Sequence, residues 1–307
     1  MATSQQATRM QSGLPSDTAY LTARARAADA VVTPARRLLD DRFAALFVSE
    51  PPPPRTSEEA LARLTALDSA HGGFIAEILL RQRFFEDQLI HAVATGVRQV
   101  VLLGAGYDTT ALRMPGYDGL RYFEVDHPAT QRSKLETLVQ AAIDAPSATY
   151  VPVDFEAGDS LAEALVEAGY RPDLRCVVGW LGVTYFLRRD AVERTLEGLS
   201  GLCAQGSLLV FDYMDEGVID GTAPYPGALA MAAKVSAQGE PYLTGMTPES
   251  VSAAVRRAGF WPTDEARVPD LVRRYGGADP YCKDDDFMGL IAAERAVRDS
   301  RESGAAA

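Results

Sequence analysis

The chain has 307 residues, with 30 Lys and Arg against 42 Asp and Glu, which gives a formal net charge of −12. This acidic balance argues against binding to nucleic acid or to anionic lipids, because both need a basic surface. The chain has 47% hydrophobic residues, but no apolar run of transmembrane length and no signal-peptide order, so we expect a globular cytoplasmic protein. The widely spaced Cys176, Cys203 and Cys282 predict neither a disulfide framework nor a metal site.

The first third of the chain has helical periodicity. The predicted helices cover residues 17–48, 57–70 and 74–94. Ser57 is predicted to cap the second helix, with Glu58 and Glu59 in its first turn. Residues 1–16 are polar and are predicted to be a disordered tail, and residues 297–307 are predicted to be a second tail.

Short apolar runs then alternate with helical segments. The predicted strands are 99–103, 121–125, 149–153, 176–180, 207–213, 260–268 and 286–293. The predicted helices are 128–142, 158–168, 189–204 and one that begins at Thr247-Pro248. This alternation predicts a parallel sheet with right-handed crossovers. Residues 214–246, which are rich in Gly, Pro and Ala, break the alternation and are predicted to form a lid or insertion.

A glycine turn follows the first predicted strand. Gly104 and Gly106 lack a Cβ atom and would let a ligand approach the backbone. Thr109 takes the place of the third glycine of the dinucleotide fingerprint, so a simple strand–helix turn is the alternative. Asp108 and Arg113 are predicted to form a structural pair behind this turn.

An acidic residue ends each of the next two strands. Asp126 lies 20 positions after Gly106, a spacing that suits an acceptor for the two hydroxyls of a ribose. Pro128 follows it, so Asp126 could cap a helix instead, or have both roles. Asp154 could accept from an exocyclic adenine amine, with Phe155 packing nearby. Ligands of open α/β sheets bind at such strand ends.

These motifs resemble the leucine carboxyl methyltransferase family, which uses S-adenosylmethionine. The resemblance runs from about Thr18 to Ala293 and is closest to a bacterial subset that includes polyketide carboxyl O-methyltransferases. The similar segments are 18–27, 81–87, 99–113, 123–128, 180–187 and 206–213. Together they are specific for the family, but not for a substrate.

The resemblance implies a role for each of seven residues. Gly104 and Gly106 pass beside the methionine part of the cofactor, Asp126 binds the ribose, Asp154 and Phe155 frame the adenine, Arg81 pairs with the cofactor carboxylate, and Arg26 assists it. An arginine suits a carboxylate because two parallel N–H bonds can form.

Both arginines keep a structural alternative. Arg26 could lie on a solvated helix face, and Arg24 competes with it for the cofactor. Arg81 could be a surface charge beside Glu86 and Asp87.

The sequence departs from the family pattern at two positions. Leu181 stands where many members have Glu, which removes a polar contact near the methionine end of the cofactor. Phe186 stands where most members have Tyr, and Tyr185 beside it keeps a hydroxyl.

No catalytic residue is assigned; the candidates are Tyr185, His71 and His127. No triad or metal cluster is visible in the sequence.

We therefore predict an α/β protein with the Rossmann-like class I methyltransferase fold and a seven-stranded, mostly parallel sheet. A single domain is expected, divided into a helical cap at 17–94, a cofactor-binding core at 95–213, a lid at 214–246 and the rest of the sheet at 247–296. The expected reaction is methyl transfer from S-adenosylmethionine to a carboxylate of a small acid, in a monomer or homodimer. The alternatives are transfer to a phenol or alcohol, or cofactor binding without methyl transfer.

Overall fold

The structure is a computed structural model that describes residues 17–48, 50–114, 119–145, 147–154, 159–276 and 285–296. The predicted tails lie outside the described residues. None of the helices in the described part of the chain combines the length and the apolar character needed to cross a membrane.

A seven-stranded sheet forms the centre of the described residues. Its strands are β1 Gln99–Leu103, β2 Arg121–Asp126, β3 Ala148–Pro152, β4 Cys176–Trp180, β5 Leu208–Met214, β6 Phe260–Arg267 and β7 Met288–Arg295. Their order is β3-β2-β1-β4-β5-β7-β6. The first five strands pair in parallel, and β7 pairs antiparallel with both β5 and β6. Every predicted strand is confirmed, with ends that shift by no more than two residues.

Helices cover both faces of this sheet. They are α1 Asp17–Asp29, α2 Ser57–Ala70, α3 Phe74–Ala94, α4 Thr110–Arg113, α5 Pro128–Gln140, α6 Leu161–Glu167, α7 Arg189–Leu202, α8 Glu216–Asp220, α9 Pro226–Ala237, α10 Pro248–Arg257 and α11 Val268–Tyr275. Alternate residues of β1 enter different cores: Val100 and Leu102 pack with α1–α3, whereas Val101 and Leu103 pack with α6, α7 and α10. Because both faces of the strand are covered, its sequence is apolar without alternation.

The predicted helix over residues 17–48 was wrong in its second half. Helix α1 ends at Asp29, and a short 3-10 turn occupies Ala44–Phe47. The buried Asp29 carboxylate accepts hydrogen bonds from the backbone N–H groups of Leu38 and Leu39, at 3.3 and 2.6 Å. Pro34 also lies in this segment, and the residue before a proline is disfavoured in a helix.

The cap of α2 also differs from the prediction. Thr56, and not Ser57, is the N-cap, and its side chain accepts from the Glu59 N–H at 3.2 Å. The predicted cap at Thr247 is confirmed, with Pro248 at the first helical position of α10.

The segment 214–246 contains α8 and α9 and then returns to the end of β5, where Asp215, the residue after the strand, forms a parallel bridge with Met246. Its role as a lid stays a prediction.

The sequence analysis missed α11, which buries Val268 and Leu271 and packs on α3. The spacing of these two apolar residues was the signal for it.

Candidate active site

A cavity of about 240 Å³ opens at the carboxyl ends of β1, β2 and β4. Strand β1 lies between β2 and β4 in the sheet. The connections to β2 and β3 run to one side of β1, and the connection to β4 runs to the other side. A crevice forms at the carboxyl ends of the strands where these connections diverge. The walls come from the turns after these strands, from α1 and α3, and from residues 240–243.

The glycine turn forms one wall of the cavity. Gly104 and Gly106 have φ angles of +65° and +51°, in the left-handed region that other residues rarely adopt. A Cβ atom at Gly104 would collide with Val183, and one at Gly106 would lie 3.3 Å from the Cβ of Ala19 on α1. The two glycines therefore allow the turn to pass between the end of β4 and α1.

Asp126 lies at the end of β2 and lines the cavity. Its carboxylate accepts from the Gly106 N–H and from the His127 N–H, the latter at 2.6 Å. Burial raises the pKa of Asp126, and these two N–H groups oppose that rise. Asp126 is not the helix cap that the sequence left open, because the His127 side chain caps α5 by accepting from Ala129 N–H. Ribose binding by Asp126 stays a prediction.

Asp154 and His127 face each other at the β3 side of the cavity. His127 Nε2 lies 3.7 Å from Asp154 Oδ2. Since His127 Nδ1 accepts from Ala129 N–H, at 3.2 Å, the neutral ring carries its proton on Nε2, toward Asp154. Phe155, the predicted partner of Asp154 at the adenine, lies outside the described residues.

Arg81 is buried and is not a surface charge beside Glu86 and Asp87. Its Nη1 donates to Glu77 Oε2 at 3.0 Å, and to Tyr185 Oη and Asp212 Oδ2, both at 3.1 Å. Its Nη2 lies over the backbone of Gly182, where a Cβ atom would come within 2.6 Å. Both Arg81 and Gly182 line the cavity, and Nη1 is the end of the guanidinium that the acids and Tyr185 hold.

The sequence analysis missed the two acids that hold Arg81. Glu77 lies four residues before Arg81 on α3, a spacing at which helical side chains meet, and this signal was available. Asp212 is an acid inside the apolar strand β5, and its partner could not be read from the sequence because 131 positions separate the two residues.

Arg26 is buried as well, which excludes the solvated helix face. Its Nη2 donates to the Tyr107 carbonyl oxygen at 2.5 Å, and its Nε lies 3.1 Å from Asp41 Oδ2. Arg26 lines the cavity, whereas Arg24 lies over the ring of Tyr20 and is not among the described lining residues. These contacts tie α1 to the glycine turn.

Asp108 and Arg113 attract each other, as predicted, but they form no direct ion pair among the described residues. Arg113 lies 2.6 Å from Glu86 Oε1 on α3 and 3.5 Å from Asp41 Oδ1. Asp108 accepts from the Thr110 N–H at 2.6 Å instead. Arg113 therefore connects the glycine turn to the preceding helices, which the local sequence could not indicate.

The three catalytic candidates lie in different places. Tyr185 and His127 line the cavity, but His71 ends α2 and is not among the described lining residues. Burial raises the pKa of Tyr185 well above its usual value, so its hydroxyl keeps its proton at neutral pH. Burial lowers the pKa of His71, whose Nδ1 contacts the Leu67 carbonyl oxygen at 2.8 Å.

Another part of the cavity lining is aromatic and aliphatic. We call Phe74, Phe186, Met231 and Tyr242 the apolar half, and Gly104, Gly106, Asp126 and Asp154 the strand-end half. The ring centroids of Phe74 and Phe186 lie 6.1 and 5.2 Å from that of Tyr242. The Leu243 N–H donates to the Tyr185 carbonyl oxygen at 2.6 Å, which holds residues 240–243 beside the site. Within the described ranges, no three His, Cys, Asp or Glu side chains gather as metal ligands.

Comparison with known proteins identifies the family of this chain. The family model for leucine carboxyl methyltransferase matches residues 19–200, more than half of the chain. A Streptomyces avermitilis relative, named "Putative S-adenosyl-L-methionine-dependent methyltransferase/SAV474", is 34% identical over 76% of this chain and 81% of its own. A Parafrankia sp. (strain EAN1pec) relative with the same description is 36% identical over 57% of this chain, and this chain spans only 56% of its length.

The fold has a solved counterpart. A crystal structure described as that of a "putative methyltransferase" from Thermobifida fusca YX superposes on this chain with a TM-score of 0.58 at 14% sequence identity. The superposition covers 94% of this chain and 98% of that one. At this identity the likeness shows the fold alone. The family match and the named relatives support S-adenosylmethionine as the cofactor, and the chain belongs to the leucine carboxyl methyltransferase family.

Proposed function

We propose that the protein transfers a methyl group from S-adenosylmethionine to a carboxylate oxygen of a small molecule, such as a polyketide acid of secondary metabolism. The observation that carries this proposal is that His127, the only histidine among the described residues that line the cavity, lies beside Asp154 at the end of β3, with the strand-end half. A carboxylic acid with a pKa of about 4 is already ionised at neutral pH, whereas a phenol with a pKa of about 10 needs a base.

The strand-end half fits the cofactor by the chemistry of its groups. S-adenosylmethionine supplies an electrophilic methyl group on a sulfonium when it is bound. The carboxylate of Asp126 can accept from two ribose hydroxyls, and Asp154 can accept from an amine. Arg81 offers Nη2 to the carboxylate of the methionine part, and Arg26 on α1 assists it. Leu181 offers the amino group of that part no hydrogen bond.

The apolar half has two tasks in this proposal. Phe74, Phe186, Met231 and Tyr242 hold the acceptor and exclude water from the reacting oxygen. Catalysis then rests on proximity and on an in-line approach of the acceptor. We assign the cover of this half to residues 17–94 and 214–246, and the cofactor-binding core to residues 95–213.

The test is a product assay with small carboxylic acids and matched phenols. We expect S-adenosylhomocysteine together with a methyl ester that mild alkali hydrolyses to methanol. At saturating cofactor the rate should stay nearly flat from about pH 6 to pH 9, because the acid is ionised throughout. Asp126→Ala serves as the control for the cofactor site.

Two outcomes would contradict the proposal. If the product were an alkali-stable ether and the rate rose about tenfold per pH unit, the methyl acceptor would be a phenol or alcohol instead of a carboxylate. Cofactor binding without S-adenosylhomocysteine formation from any acceptor would favour a protein that binds the cofactor without methyl transfer.

A further inference from the structure

Beside the cavity, four side chains form a buried cluster around one nitrogen atom. We call Glu77, Arg81, Tyr185 and Asp212 the Arg81 cluster. Glu77 and Asp212 are fully buried, and Arg81 and Tyr185 are 7% and 4% exposed. They come from α3, from the turn after β4 and from β5, so the cluster joins three elements.

The cluster has too few hydrogens on its central nitrogen. Arg81 Nη1 carries two N–H bonds. Four oxygens lie within 3.3 Å of it: Glu77 Oε1 and Oε2, Tyr185 Oη and Asp212 Oδ2. Two hydrogens cannot satisfy four acceptors. The cluster also holds two acids against one base, and two carboxylates at one site repel each other unless one of them takes a proton.

We propose that Glu77 is a neutral carboxylic acid in the ligand-bound protein and acts as a positioning residue, which holds Nη1 of Arg81 and leaves Nη2 for the anionic end of the cofactor. This inference rests on the role that we propose for Arg81. It adds that cofactor binding requires a proton on Glu77.

Glu77 is the better site for the proton than Asp212. Asp212 Oδ1 also accepts from the Gly182 N–H, at 2.7 Å, and such a bond favours the ionised form. Glu77 has only Arg81 as its hydrogen-bond partner among the described residues. Burial raises the pKa of Glu77 to about 8, although Arg81 opposes the rise.

A proton on Glu77 makes ligand binding depend on pH. Loss of this proton places a second negative charge beside Arg81 and weakens its attraction for a carboxylate. The groups that face Glu77 are Arg81 from its own helix, Asp212 from β5, Tyr185 from the turn after β4 and Tyr242 from the segment after α9. Burial raises the pKa of both tyrosines, so they keep their protons while Glu77 titrates.

The first test measures S-adenosylhomocysteine binding by calorimetry at pH 7 and pH 9. With a pKa of about 8, the dissociation constant of the wild-type protein should rise about tenfold over this range. Glu77→Gln keeps the shape and the neutral state, so it should bind as tightly as the wild type at pH 7 and lose most of the rise. The matched control is Glu86→Gln, because Glu86 lies on the same helix but pairs with Arg113.

The second test uses the wild-type protein alone. Binding at pH 9, measured in two buffers of different ionisation enthalpy, should take up about one proton per ligand. Absence of proton uptake, or a rise in Glu77→Gln equal to that of the wild type, would overturn the inference. No acceptor is present, so a phenol acceptor would leave these results unchanged, whereas a failure to bind S-adenosylhomocysteine at either pH would overturn the proposed function and this inference together.

Discussion

The two halves of the cavity differ in how the chain builds them. The strand-end half comes from one stretch, residues 104–154, in which a glycine turn and two acids follow consecutive strands. The apolar half joins α3, the turn after β4, α9 and the segment that follows it. A parallel sheet brings the first set together by topology, whereas packing of distant helices brings the second set together.

This difference indicates where each property of the site resides. The strand-end half uses charge and backbone conformation, so single substitutions there should change cofactor affinity or stability sharply. The apolar half uses shape, so substitutions there should change the acceptor and leave the cofactor alone. The following predictions test that division, from the largest expected effect to the smallest.

Arg81 lines the cavity but belongs to neither half, and Arg81→Ala should have the largest effect. It leaves the buried Glu77 and Asp212 without their cation, so the free energy of unfolding should fall by about 3 to 5 kcal/mol. Affinities for S-adenosylmethionine and S-adenosylhomocysteine should fall together, because both carry the same carboxylate. Arg81→Lys should recover only part of each loss, since it lacks the planar fork.

Urea titration and calorimetry measure these effects of Arg81→Ala separately. A variant that bound both ligands normally but lost turnover would move Arg81 from the cofactor to the acceptor.

Asp126→Ala should weaken cofactor binding by about 2 to 3 kcal/mol, because two ribose hydroxyls lose a charged acceptor. This corresponds to roughly 30- to 150-fold in the dissociation constant. Asp126→Asn keeps one acceptor oxygen, so its dissociation constant should lie between those of the wild type and Asp126→Ala. Unchanged affinity for S-adenosylhomocysteine in Asp126→Ala would remove the ribose assignment.

Gly104→Ala should lower the free energy of unfolding by about 2 kcal/mol, because the new Cβ meets Val183 while φ stays positive. Gly221→Ala is the matched control: its φ is +81°, but nothing lies within 4 Å of a Cβ there. It should lose only about 1 kcal/mol, the cost of the backbone conformation. Equal losses in urea titrations of the two variants would show that the close approach to Val183 has no energetic weight.

Phe186→Leu should have the smallest effect on the folded protein, under about 1.5 kcal/mol, because an apolar side chain replaces another. Its affinity for S-adenosylhomocysteine should stay within about twofold, since the strand-end half is untouched. The KM for the acceptor identified in the product assay should change instead. A loss of cofactor affinity comparable to that of Asp126→Ala would contradict the division into halves.

Local patterns predicted the strands and their carboxyl-end acids well. Strands β1 and β4 have the predicted bounds because a strand that is buried on both faces consists of consecutive apolar residues, which are easily recognised in the sequence. The helix predicted over residues 17–48 failed because its apolar residues do pack into the core, but from turns that the Asp29 carboxylate holds. Burial and helical periodicity are separate properties, and an Ala-rich segment can show both without being one helix.

The sequence by itself determined the order of elements, the glycine turn, Asp126 and the family, because each depends on residues that are close along the chain. Only the tertiary structure decided which distant groups surround the arginines. Arg26 is tied to Asp41 and to the Tyr107 backbone, and Arg81 is shared between Glu77 and Asp212. A charge in a sequence has no fixed partner; its partner and its protonation follow from which distant groups are buried with it, since burial makes an unpaired charge costly.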